Sequence, residues 1–139
     1  RMRGWMMRER FPDWKRPEFD ESGMTRWMWM CQHPENLVLG RGCDIGAFSY
    51  INAKNGVEIG EDVQLGSHCS VYSHSTIDDK EGAVKIGKGA CIGTHSTIMP
   101  GVSIGAGALI GAHSFVNRDI PAGATAFGVP VRLWVSHQR

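Results

Sequence analysis

The sequence predicts an all-β solenoid, a stack of short strands wound around three sides, and three observations carry that expectation. An apolar residue recurs every six positions, usually followed by glycine: Leu39-Gly40, Ile45-Gly46, Ile51; Ile59-Gly60, Leu65-Gly66, Val71; and Ile86-Gly87, Ile92-Gly93, Ile98, Ile104-Gly105, Ile110-Gly111, Val116. Four places after each apolar residue stands a small or modest one: Cys43, Ser49, Val63, Cys69, Ala90, Ser96, Val102, Ala108, Ser114. The chain also changes texture near Leu37, from Trp, Met, Arg and acids to Gly, Ile, Val and Ala.

A period of six matches neither a helix nor one long strand. It suits a three-residue strand whose first and third side chains point inward, followed by a corner. Glycine opens each corner, where a positive φ or a close backbone approach suits it. Three sides close a coil of eighteen residues, and coils stack at about 4.8 Å. Such a stack draws its stability from contacts between neighbouring coils.

Taken in order, residues 1–35 form an N-terminal cap. They hold four of the five tryptophans and six of the seven methionines. An open solenoid end exposes unpaired strand edges and a raw apolar column, which "MTRWMWM" is expected to cover. Aromatic rings also suit a sugar-gripping surface, the other reading of this segment. Residues 36–121 carry the repeat. Near 72–85, in "VYSHSTIDDKEGAVKIG", the beat breaks for a loop with His74, hydroxyls and charges. Residues 122–139 leave the beat through Pro121 and form a tail.

Composition excludes several functions. The chain has 139 residues and a formal net charge of +1, with charges mixed in sign. That leaves no electrostatic footprint for nucleic acid or an anionic membrane. No apolar run reaches the length of a membrane span, and no leader pattern is legible. The cysteines Cys31, Cys43, Cys69 and Cys91 form no CxxC pair, so they read as buried thiols in a reducing cytoplasm.

The repeat resembles the hexapeptide-repeat, left-handed parallel β-helix proteins, and among them the acyltransferases, over roughly residues 37–134. Within it, "VKIGKGACIGTHSTIMPGVSIGAGALIGAHSFVNRDIPAGATAFGVPVRLW" is similar to the C-terminal half of galactoside and maltose O-acetyltransferases. The resemblance implies the left-handed coiling, a homotrimer, and acetyl-CoA as co-substrate in a groove between two subunits, with no metal. It implies that "NRDIPAGATAFGVPVR" closes over coenzyme A. Thr94 and Ala112, eighteen residues apart, would leave corner amides open to the pantetheine arm. Asn117, Arg118 and Arg132 continue the match, and the arginines would meet nucleotide phosphates.

Acetyl transfer to a hydroxyl needs a base, and a neutral histidine suits that work. The resemblance places it where the last regular coil gives way to a protruding loop, which points to His74. His95, in "GTHST", is the rival. Counted from the apolar residue, the family's position falls on Thr76 instead. His68, His74, His95 and His113 all share the fourth place of the repeat, and for His68 and His113 polar corner residues at trimer contacts is the expected role. The family's acceptor-binding asparagine has no direct counterpart; Tyr50 and Asn52 lie near the coil where the resemblance places it, next to a two-residue insertion before Ile59. The acceptor is expected to be a sugar or sugar-like molecule, acetylated on oxygen or nitrogen. Two other classes remain: a γ-carbonic-anhydrase-like metalloenzyme with histidine ligands across a trimer interface, and a non-catalytic scaffold.

Overall fold

The computed structural model describes residues 11–135. The first ten residues of the expected cap and the last four of the tail lie outside the described residues.

Five coils stack along one axis. The first holds β1 (Met30–Gln32), β2 (Leu37–Leu39) and β3 (Asp44–Ile45). The second holds β4 (Tyr50–Asn52), β5 (Val57–Ile59) and β6 (Gln64–Leu65). The third runs through β7 (Ser70–Tyr72), β8 (His74–Ser75), β9 (Lys80–Glu81), β10 (Val84–Ile86) and β11 (Cys91–Ile92). The fourth holds β12 (Thr97–Ile98), β13 (Ser103–Ile104) and β14 (Leu109–Ile110). The last has β15 (Phe115–Val116), β16 (Thr125–Phe127) and a returning β17 (Arg132–Leu133).

Strands of successive coils pair in parallel and make three faces. The first face runs β1-β4-β7-β12-β15, the second β2-β5-β10-β13, and the third β3-β6-β11-β14-β16 with β17 added antiparallel. The inward residues form the expected column: Ile51, Val71, Ile98 and Val116 behind the first face, Val57, Ile59, Val84, Ile86 and Ile104 behind the second, Leu65, Ile92 and Ile110 behind the third, all buried. The small residues are buried with them. Those that begin the first face use their polar atoms: Ser49 Oγ donates to the Gly66 carbonyl (3.1 Å), Cys69 Sγ to Gly93 (3.2 Å) and Ser96 Oγ to Gly111 (3.2 Å). A buried hydroxyl is tolerated there because a corner carbonyl receives it.

The corner glycines owe their identity to close approach. A Cβ on Gly66 would lie 2.7 Å from the Thr94 nitrogen, and one on Gly93 2.5 Å from that of Ala112. Positive φ falls two residues later, on Phe48 (66°), Asp62 (59°), His68 (59°), His95 (62°) and His113 (59°) along with Gly42, Gly89 and Gly107. The following amide reaches back to the glycine carbonyl, as in Ala90 to Gly87 at 3.2 Å. That is the pattern of a type II turn, whose third residue takes the left-handed region.

The register departs from eighteen at several places. Met30 pairs with Tyr50, Tyr50 with Ser70, Ser70 with Thr97, and Thr97 with Phe115, so the offsets are 20, 20, 27 and 18, and Leu109 pairs with Thr125 at 16. The extra residues all sit on the edge between the first and second faces, at 33–36, at 53–56 and in the β8–β9 hairpin.

Strand pairing begins at Met30, inside the segment expected as a cap. Cys31 occupies the inward place taken elsewhere by Ile or Val, pairs with Ile51, and is fully buried. Before it, Trp29 is 2% exposed and meets Phe19 edge-on at 5.6 Å. Trp14 Nε1 donates to the Cys43 carbonyl at 2.9 Å. These contacts cover the apolar column where it opens. All four cysteines are buried and outside any disulfide, and burial pushes the Cys31 thiol up to about 12 and Cys43 to about 11.

Candidate active site

Two edges of the prism carry the candidate residues. On the edge between the first and second faces, β8 and β9 leave the solenoid as a hairpin in which His74 pairs with Glu81 and Ser75 with Lys80. The loop expected near 72–85 is this hairpin. Its root is clamped from both sides. Ser73, fully buried, donates its hydroxyl to the Asn52 carbonyl at 2.7 Å and accepts the Asn55 amide at 2.9 Å, both from the coil before. The Gly82 amide donates to the Ser73 carbonyl, and the Gly101 amide of the next coil donates to Gly82. Bonds on both flanks hold His74 in place although its hairpin reaches into solvent, where Ile77 at the tip is 98% exposed.

The His74 side chain is 18% exposed, and Glu81 Oε2 lies 3.4 Å from its Nδ1. That Nδ1 is buried and makes no hydrogen bond of good geometry. A buried polar atom left unpaired costs about 1–3 kcal/mol. Since Nδ1 is sealed, the ring's exposure belongs to its other atoms, and Nε2 is the nitrogen available to a ligand.

Tyr50 and Asn52 stand on the outer surface of the first face, leading toward this edge. The Tyr50 hydroxyl donates to Gln32 Oε1 at 2.7 Å, and its ring tilts against Tyr72 at 5.6 Å. Burial raises the Tyr50 phenol above its ordinary range. Asn52 Oδ1 accepts the Lys54 amide at 3.1 Å. Asn117 and Arg118, both exposed, follow β15 on the same edge as His74. The neighbouring Asp119 carboxylate accepts the Ser103 amide at 2.8 Å.

The edge between the third and first faces carries a ladder. His68 stacks on His95 at 4.7 Å and 5°, His95 on His113 at 4.9 Å and 12°, and Phe48 lies below His68 at 5.1 Å. Three of the four histidines that share the fourth place of the repeat thus stack; His74 alone starts a hairpin. The rings present faces to one another, so their nitrogens do not converge. Among the described residues no group of three or more His, Cys, Asp or Glu side chains could hold a metal.

Beside this ladder lie Thr94 and Ala112, one rung apart. Among the described residues, their amides donate to no backbone group. Thr94 Oγ1 donates to the Ser67 carbonyl at 2.7 Å, which commits its hydrogen. His95 Nδ1, 2.9 Å from the same oxygen, is therefore the donor in that contact, and the His95 Nε2 lone pair is free. Arg132, exposed on β17, pairs with Phe127, whose Cβ would collide with any side chain on Gly111. The turn between β16 and β17 therefore lies one coil above Ala112 on the ladder edge, and β17 runs back along the third face from there.

The structure separates the predicted residues into two sets. Thr94, Ala112, Arg132 and His95 share the ladder edge; His74, Asn117 and Arg118 share the hairpin edge. The first face lies between, roughly 13 Å of strand at about 3.3 Å per residue from Cys69 to Ser73. Within one chain His74 is not beside Thr94. The sequence offers three loop carboxylates, Asp78, Asp79 and Glu81, that could orient an imidazole and does not choose among them, because the pairing of His74 with Glu81 depends on the hairpin register.

Two family models match the repeat: "Hexapeptide repeat of succinyl-transferase" over residues 37–73 and "Bacterial transferase hexapeptide (six repeats)" over residues 83–118. A probable serine acetyltransferase of rice, Oryza sativa subsp. japonica, is 43% identical over 106 residues, covering 73% of this chain and 29% of that protein. A galactoside acetyltransferase solved with coenzyme A is 28% identical with a TM-score of 0.71, covering 78% of this chain and 58% of that one. A maltose O-acetyltransferase from Clostridium difficile 630 is 27% identical with a TM-score of 0.65, covering 80% of this chain and 64% of that one. This chain spans less than two thirds of each.

Proposed function

This chain belongs to the hexapeptide-repeat proteins, and from that premise we propose that it is an acetyltransferase, moving an acetyl group from acetyl-CoA to a hydroxyl or amine of a sugar-like acceptor. The observation that carries this reading is the hairpin. Nine residues beyond the regular coil are inserted at one edge, clamped by buried hydrogen bonds, and they carry one partly exposed histidine with its Nδ1 sealed. A scaffold has no use for that device. The solved relative with coenzyme A supports the choice of donor.

The residues at the ladder edge fit an extended thioester carrier. The free amides of Thr94 and Ala112 repeat at one coil's spacing, about 4.8 Å, and small side chains leave them open. Arg132 would meet the nucleotide phosphates at the end of that path, joined by Asn117 and Arg118 from another copy's hairpin edge. The two edges meet when copies pack as a homotrimer, with His74 of one chain beside Thr94 and Ala112 of the next. His74 Nε2 then takes the acceptor's proton as the acceptor oxygen attacks the thioester carbonyl. The same proton returns to the departing sulfur. Tyr50 and Asn52, on the face leading to His74, would contact the acceptor. A reducing cytoplasm suits four buried thiols that form no disulfide.

The test is turnover of acetyl-CoA, followed by thiol release, against a panel of sugars, amino sugars and serine. His74→Ala should lower kcat about 10²–10⁴-fold with the circular dichroism unchanged. Near-normal turnover with the same variant at His95 inactive would move the base to His95.

A further inference from the structure

We propose that Glu81 is the positioning residue of the His74 base: its carboxylate holds the Nδ1 proton and so fixes Nε2 as the atom that accepts the substrate's proton. This rests on the reading of His74 given above. The β8–β9 ladder sets His74 directly opposite Glu81, and cross-strand partners have their Cβ atoms about 4.5–5.5 Å apart. The carboxylate is thus delivered by paired backbone. Glu81 Oε2 stands 3.4 Å from a Nδ1 that water does not reach and that no hydrogen bond satisfies. Glu81 is 64% exposed, so its carboxylate is free to swing the remaining few tenths of an ångström.

The other acids of the hairpin are placed differently. Asp78 lies 3.9 Å from Lys80, and Asp79 occupies the turn at φ 54°. Neither stands across from His74. Gly82, next to Glu81, is tied to Ser73 on one side and Gly101 on the other, which fixes the register of the pair.

The chemistry follows from the tautomer. An imidazole with its proton on Nδ1 has its lone pair on Nε2. As Nε2 takes the acceptor's O–H proton, the acceptor oxygen bonds to the thioester carbon, and the ring becomes a cation that the carboxylate stabilises. The C–S bond then breaks, the proton passes from Nε2 to sulfur, and the products are the acetyl ester and free thiol. No oxidant, metal or further reactant enters.

The test joins a spectrum to kinetics. In 15N-histidine-labelled protein, the His74 ring signals should show the Nδ1–H form in the wild type. In Glu81→Ala they should shift toward the Nε2–H form. Glu81→Ala and Glu81→Gln should lower kcat about 10–100-fold with the acceptor KM unchanged; a buried triad carboxylate is worth about 10⁴, and exposure discounts this one. Glu81→Asp, which keeps the charge, should recover part of the loss. If His74→Ala is inactive while Glu81→Gln turns over like the wild type with unchanged ring signals, Glu81 has no such role and the base stands. If His74→Ala is itself fully active, both readings fall.

Discussion

At the scale of single residues, the fold depends on what a corner lacks. The glycine after each apolar residue sits where the next coil passes at van der Waals limits. At Gly93 an added Cβ would lie 2.5 Å from the Ala112 nitrogen and 2.7 Å from its Cα, and both are backbone atoms that cannot swing aside. Gly93→Ala should therefore cost about 1–3 kcal/mol, read as a fall in Tm. Gly89 is a different case. A Cβ there meets nothing within 4 Å, but φ is +72°, so Gly89→Ala should cost only about 1 kcal/mol, through backbone strain. Equal losses at the two sites would contradict the distinction. The sequence shows the first kind of glycine, because it recurs after the apolar beat. It hides the second position, which holds Gly42, Phe48, Asp62, His68, Gly89, His95, Gly107 and His113 in turn. No residue type marks that place, only a shared φ. For the same reason, sequence placed the histidines at exterior corners without showing that three stack and one does not.

At the scale of elements, a break in the beat was readable, but its form was not. Val71 and Ile86 are both inward residues, so the chain between them had to leave and return. What makes it a hairpin is the Ser73–Gly82 closure and the pairing of His74 with Glu81, which lack any alternating apolar signal. The first strand was missed for a related reason: Cys31 fills an inward place with a thiol and breaks the Ile/Val pattern. Because the hairpin is an addition to an edge, it should be removable. Deleting nine residues from it restores the offset seen between Thr97 and Phe115. The shortened chain should keep a cooperative thermal transition within a few degrees of the wild type and still bind coenzyme A in calorimetry, since Thr94, Ala112 and Arg132 lie on the other edge. It should transfer no acetyl group. Loss of coenzyme A binding together with an unchanged transition would mean that the hairpin forms part of the carrier's path.

At the scale of the whole molecule, the distance between the two edges argues for assembly. The first face separates His74 from Thr94 and Ala112, and a prism held by five coils of paired strands cannot bend to bring them together. If these residues act in one reaction, each centre draws its base from one chain and its carrier path from another. Neither inference was available from spacing, because residues 74 and 94 are close in number and only the winding sets them on opposite edges. The arrangement predicts complementation. His74→Ala removes the base and leaves the ladder edge intact. Ala112→Trp blocks the corner amide and leaves the hairpin intact. Each variant alone should be nearly inactive. Co-expressed in equal amounts and purified as mixed assemblies, they should regain about one quarter of the wild-type rate, since a centre is whole only where an Ala112→Trp chain lends its His74 to a His74→Ala neighbour. Centres built within a single chain would give no recovery, and mixed assemblies as dead as their parents would leave the two edges without a common reaction.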